Sequence, residues 1–150
     1  MGIERFRSAL RRHRRIALDT SIFIYQIEAN PRYLPLTDAV FAWLERPGTS
    51  AVTSTITMTE LLVAPYRLSD QQRVDEFYSL LSTYPRLEWA PPNLEIADAA
   101  ARLRAVHRLR TPDALQAATA EDSLATALVT NDPAFARVPS FEALILDQFL

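Results

Sequence analysis

Several short apolar runs, each too brief for a helix, alternate along this chain with longer stretches of helical spacing. The runs fall at Ile16-Ala17-Leu18, Ser50 to Thr53, Arg86 to Ala90, Ala127 to Thr130 and Ala143 to Leu146. Apolar residues without alternation indicate strands covered on both faces, and such strands belong to parallel sheets sandwiched between helices. The intervening segments supply those helices, at Ile22 to Ile27, Leu36 to Arg46, Thr57 to Tyr66, Ser69 to Thr83, Asn93 to Leu109 and Thr111 to Ser123. Pro47-Gly48 stops the second, Ser69-Asp70 starts the fourth and Thr111-Pro112 opens the last, each with the residue chemistry of a helix end. The expected architecture is a three-layer α/β/α sandwich with a central, mostly parallel sheet of about four to five strands. Ligands in such sheets bind beyond the carboxyl ends of the strands, where the strand order reverses.

At 150 residues the chain has the length of one domain. Residues 1–15 read as a basic extension preceding a single domain at 16–150. Arg5, Arg7, Arg11, Arg12, Arg14 and Arg15 stand there against Glu4 alone, so that segment carries +5 of a net charge of -2. Apolar residues at Ile3, Phe6 and Leu10 give it the form of a short amphipathic helix and, structurally, of an appendage. The chain has no lysine, so every fixed positive charge is a guanidinium, whose planar fork suits phosphate and carboxylate.

Absences narrow the chemistry further. Without cysteine there is no disulfide framework, thiolate metal site or cysteine nucleophile. Two glycines leave no glycine-rich phosphate loop, which argues against P-loop and dinucleotide-binding folds. No apolar stretch approaches the roughly 20 residues of a membrane span or has the form of a secretory signal, and a cytoplasmic location fits best. His13 lies in the arginine segment and His107 in a basic helix, and both read as surface residues rather than metal ligands or general bases.

Four acids stand at abrupt starts of helical pattern: Asp19 directly after the first apolar run, Glu60, Asp113 after Pro112, and Asp132 before Pro133. Each has a local explanation. Thr57-x-x-Glu60 fits a capping box, Asp113 would meet the positive end of a helix dipole, and Asp132 is a natural N-cap. Asp19 is harder to account for locally, because a carboxylate just beyond a buried strand lies on the ligand-binding edge. If the fold gathers the four there, their mutual repulsion calls for a cation, and oxygen donors alone suit Mg²⁺ or Mn²⁺ rather than zinc. That would be a metal-dependent phosphodiester-cleaving enzyme.

Asp19-Thr20-Ser21, Thr59-Glu60, Pro112-Asp113-Ala114 and Thr130-Asn131-Asp132, in this order, resemble the PIN-domain family. The likeness runs from Ile16 to about Leu146 and is most specific at Arg108 to Ala120. Among PIN domains, a chain of this size resembles the VapC-type toxin ribonucleases of type II toxin–antitoxin pairs. The resemblance implies a metal-dependent endoribonuclease in which Asp19, Glu60, Asp113 and Asp132 are the catalytic and Mg²⁺- or Mn²⁺-binding acids, with Thr20, Ser21 and Thr130 supporting them. Family members commonly carry Asn where Ser21 stands. It also implies an RNA substrate, a cognate VapB-like antitoxin whose C-terminal segment covers the acids, and a homodimer. Arg108 and Arg110 are the candidate RNA contacts, and apolar grooves beside Trp43, Leu61, Leu62 and Tyr66 are candidate antitoxin seats, the alternative for these residues being core or homodimer surface. The alternative is a catalytically silent PIN-like module that binds RNA or protein.

Overall fold

The computed structural model describes residues 2–150. In chain order the elements are α1 (Gly2–Arg11), β1 (Arg15–Leu18), α2 (Thr20–Ile27), α3 (Leu34–Leu44), β2 (Ser50–Ser54), α4 (Ile56–Arg67), α5 (Gln71–Ser82), β3 (Leu87–Ala90), α6 (Leu94–His107), α7 (Thr111–Asp122), β4 (Ala127–Thr130) and β5 (Glu142–Ile145). Short 3-10 turns cover Pro133–Arg137 and Leu146–Phe149. The five strands form one sheet in the order β3-β2-β1-β4-β5, and every pairing is parallel. The α/β sandwich read from the apolar runs is therefore the observed fold. Strand order reverses between β1 and β4, which makes the carboxyl ends of these two strands the ligand-binding position of the sheet.

Successive strand residues point to opposite faces, and each face has its own core. Ile16 and Leu18 of β1, with Ala127 and Val129 of β4, pack with Phe23, Val40, Phe41, Trp43, Leu44 and Leu61 from α2, α3 and α4. Ala17, Val52 and Leu128 point the other way, onto α6, α7 and Phe135. On that side α7 meets the sheet through fully buried Ala114, Ala117, Ala118 and Ala120, small side chains that let the helix lie close to the strands. Local signals behave as their chemistry demands. Asp70 caps α5 through Arg73 N–H at 3.1 Å, and Asn93 caps α6 through Ile96 N–H at 2.9 Å.

The amino-terminal segment differs from the sequence expectation. Rather than an appendage, α1 is packed into the first core, burying Phe6, Ala9 and Leu10. Its amino end lies against the last turn of the chain, where Phe6 and Phe149 pack with ring centroids 5.0 Å apart. A Cβ on Gly2 would fall 1.9 Å from the Phe149 carbonyl oxygen, so only glycine fits that approach. The amphipathic helix expected from Ile3, Phe6 and Leu10 does form, and its apolar stripe is what docks it. His13 is half-buried rather than free at the surface: its ring nitrogens lie 2.7 Å from Thr126 Oγ1 and 3.0 Å from Glu142.

Candidate active site

Asp19 follows β1 and caps α2, accepting from Thr20 N–H at 2.9 Å. Its second oxygen accepts from Thr130 Oγ1, at the end of β4, at 2.8 Å. The carboxylate is thus clamped across the two strands of the switch point. Burial there, opposed by these two hydrogen bonds and reinforced by Asp113 and Glu60, raises its pKa from the ordinary 3.8 to about 6.

Glu60 reaches the same place from α4. The capping box expected of Thr57 and Glu60 does not form, because α4 already begins at Ile56 and Thr55 makes no side-chain cap. Glu60 instead accepts from Thr20 Oγ1 at 2.7 Å. Asp113 lies in the first turn of α7, with its side chain 14% exposed. Burial and the nearby Asp132 push its pKa up, against the pull of Arg110, whose Nε is 3.5 Å from Asp113 Oδ2. Asp132 keeps its capping role, accepting from Ala134 N–H at 2.9 Å, while its own N–H donates to Thr130 Oγ1 at 3.0 Å. Thr130 therefore ties Asp19 to Asp132, and Thr20 ties Asp19's helix to Glu60. The four acids share one edge, but among the described residues no three His, Cys, Asp or Glu side chains converge into a ready metal cage.

Beneath the acids lies a buried polar network that the sequence analysis did not single out. Gln116, one turn after Asp113, donates to Thr57 Oγ1 at 2.7 Å and accepts from Ser54 N–H at 3.3 Å. Thr57 also bonds Thr53 Oγ1 at 2.7 Å, and Thr53 donates to the Leu18 carbonyl at 2.8 Å. These bonds lock α4 and α7, which carry Glu60 and Asp113, to β2 and β1. The available signal was a glutamine on the alanine-rich face of α7, since a buried amide needs partners. Ser21 Oγ is buried with no hydrogen-bond partner.

The basic candidates separate. Arg110 is 81% exposed beside Asp113, and Arg108 is exposed at the left-handed end of α6 with φ 58°. Arg102 pairs with Asp98, and Arg104 donates to the Leu109 carbonyl, so both serve their helix. The candidate antitoxin grooves separate as well. Trp43 is a core residue of α3, whereas Leu61 lines a cavity with Ile24, Ile27, Pro65 and Phe77, and Leu62 and Tyr66 line another.

The PIN domain family model matches residues 16–140. The chain belongs to the PIN domain family. Solved structures similar to this PIN domain include a toxin–antitoxin complex from Klebsiella pneumoniae, at 25% identity and TM-score 0.62, covering 84% of this chain and 94% of that one. VapBC2 from Rickettsia felis bound to a promoter DNA fragment, and DNA-bound VapBC from Salmonella typhimurium, each match at 23% identity and TM-score 0.65, covering 86% of this chain and 96% of theirs. Among curated proteins none matches significantly. No helix among the described residues is long and apolar enough to cross a membrane.

Proposed function

We propose that this PIN domain is a divalent-metal-dependent endoribonuclease, the toxin of a toxin–antitoxin pair, with Asp19, Glu60, Asp113 and Asp132 as its acids. The observation that carries the reading is the cost the fold accepts at the switch point. Asp19 and Asp113 are both held where burial and neighbouring carboxylates disfavour their charge, and neither the hydrogen bonds from Thr130 and Thr20 to Asp19 nor Arg110 beside Asp113 fully offsets it. A bound cation removes that cost.

The donor set fits Mg²⁺ or Mn²⁺. All candidate ligands are oxygens, and Mg²⁺ is commonly held by one or two carboxylates while keeping waters for its other positions, so a closed cage is not required. Asp19 and Asp113 would hold the ion, with Glu60 and Asp132 acting directly or through water. When bound, the ion supplies polarisation of the phosphoryl group and a water of lowered pKa. Thr130 and Thr20 fix the carboxylates in place, Ser21 offers a free buried hydroxyl at the same edge, and Arg110 and Arg108 are placed to receive RNA phosphates. No side-chain nucleophile is needed.

A VapB-like partner fits the cavity of about 180 Å³ between α2, α4 and α5, lined by Ile24, Ile27, Leu61, Ala64 and Phe77 with Glu60 at one end. An apolar segment bearing one basic residue would fill it and meet the acids. A homodimer and a cytoplasmic location accord with this reading.

The test is cleavage of RNA with and without Mg²⁺, beside Asp113→Asn. Loss of cleavage by at least about a hundredfold in a variant that stays folded is expected, since the metal-holding charge is removed. Full activity in the variant would sink the assignment. RNA binding without cleavage in the parent would favour the catalytically silent alternative.

A further inference from the structure

Two adjoining cavities open at the amino ends of the strands, on the opposite edge of the sheet from the acids. One, of about 270 Å³, is lined by Arg7, Arg11, Asp38, Trp43 and Arg46 between α1 and α3. The second, of about 330 Å³, continues past Arg11, Trp43 and Arg46 to His13, Arg14 and Thr49. Their shared floor is the buried Trp43, so the guanidinium groups rim a built recess rather than lie on an open helix face. Among the described residues Arg11, Arg14 and Arg46 have no carboxylate within ion-pair distance, and the carboxylate in the lining, Asp38, accepts from Gln26 instead. Arg86 adds a further cation at the rim by donating to the Arg46 carbonyl. The recess thus gathers unpaired planar forks, which match phosphate oxygens in pairs.

We propose that this recess is a second phosphate-binding site, which takes the backbone of the RNA away from the bond that is cut. The inference rests on RNA being the substrate. Each strand spans about four residues, so the recess lies roughly 13 Å or more from the acids. One phosphate cannot occupy both places, and only an RNA long enough to pass around the domain would engage the two.

Binding of polyuridine of about 20 nucleotides, measured against salt in the presence of a chelator, tests this on the full chain, because each arginine–phosphate contact contributes about 0.7 to the slope of log K against log salt. In the triple variant Arg11→Gln, Arg14→Gln, Arg46→Gln that slope should fall by about 2, while binding and Mg²⁺-dependent cleavage of a dinucleotide stay unchanged. The corresponding triple Lys variant should keep the parental slope, because it retains the charge. An unchanged slope in the Gln variant overturns the proposal, as does an equal fall in the Lys variant, which would mark a packing defect. Loss of binding to polyglutamate with polyuridine binding intact also overturns it, by making the recess a seat for an acidic protein. Absence of Mg²⁺-dependent cleavage in the parent would instead remove the nuclease reading and leave the difference in RNA binding standing.

Discussion

At the amino ends of the strands Glu142 lies within hydrogen-bond distance of both His13 and Arg12, and Glu88 meets Arg15. At the carboxyl ends, among the described residues, Asp19, Glu60, Asp113 and Asp132 have a single guanidinium contact among them, that of Arg110. The two edges therefore hold carboxylates under opposite regimes. Glu142 is desolvated, yet His13 and Arg12 more than compensate and hold its pKa below the ordinary range. Asp19 and Asp113 are desolvated without that compensation, and both rise. A paired acid serves the fold, whereas an acid left uncompensated is a candidate for binding something else, which is the basis of the proposed metal site.

Substitutions at the two edges should separate these regimes. Phe6→Ala, which empties the aromatic anchor of α1 against the last turn of the chain, should cost about 3–5 kcal/mol in urea unfolding. A cost near zero would return α1 to the status of an appendage. Under the acid edge, Gln116→Leu leaves the Ser54 N–H without its acceptor and should cost about 1–3 kcal/mol. It should also lower cleavage, because Glu60 and Asp113 lose their common tether. If cleavage is unaffected, the network supports the fold alone.

Asp19→Asn should act in the opposite direction, stabilising the protein by about 1–2 kcal/mol near pH 7 while abolishing cleavage. The sign follows from the raised pKa. Below the ordinary 3.8 the carboxyl is protonated in both folded and unfolded chains, and its ionisation costs nothing. Between 3.8 and about 6 the folded chain holds the proton more tightly, so stability falls as pH rises, and above about 6 the penalty is constant. The benefit of the Asn variant should accordingly fade as pH is lowered toward 4, and Mg²⁺ should stabilise the parent more than the variant. A benefit independent of pH would refute the electrostatic explanation.

Glu142→Gln should give the smallest change, a loss of no more than about 1 kcal/mol, because the partly exposed pair is screened by solvent. Its sign is again opposite to that of Asp19: with a depressed pKa, the contribution of Glu142 is present at neutral pH and disappears as acid protonates the group. A larger loss than that of Gln116→Leu would invert the comparison between the edges.

Much of this was legible in the sequence. Unbroken apolar runs disclosed the parallel sheet, because both faces of each strand had to be covered, and Asp19 and Asp132 were legible on the correct edge because each follows a strand, whereas Asp113 follows α6 and Glu60 lies a turn inside α4. What stayed hidden depends on contacts far apart in the chain. Thr57 and Glu60 have the spacing of a capping box, and only the arrival of Thr20 from α2 decides that Glu60 turns toward Asp19. Gln116, Thr53 and Thr57 look unremarkable singly, since each partner comes from a different element. In α1 the apolar face of Phe6 and Leu10 was legible, but where it docks was not, since its burial depends on α3 and the last turn of the chain.

The alanines on the inner face of α7 carry one more consequence. Ala114, Ala117, Ala118 and Ala120 are the smallest side chains a helix can use without giving up its backbone preference, so this helix already sits as near the strands as such a surface permits. The height of Asp113 above the sheet edge is therefore bounded on one side only. Variation at these positions can lift the carboxylate outward but has almost no room to lower it, and the reach of the acid is set by four methyl groups that never touch a substrate.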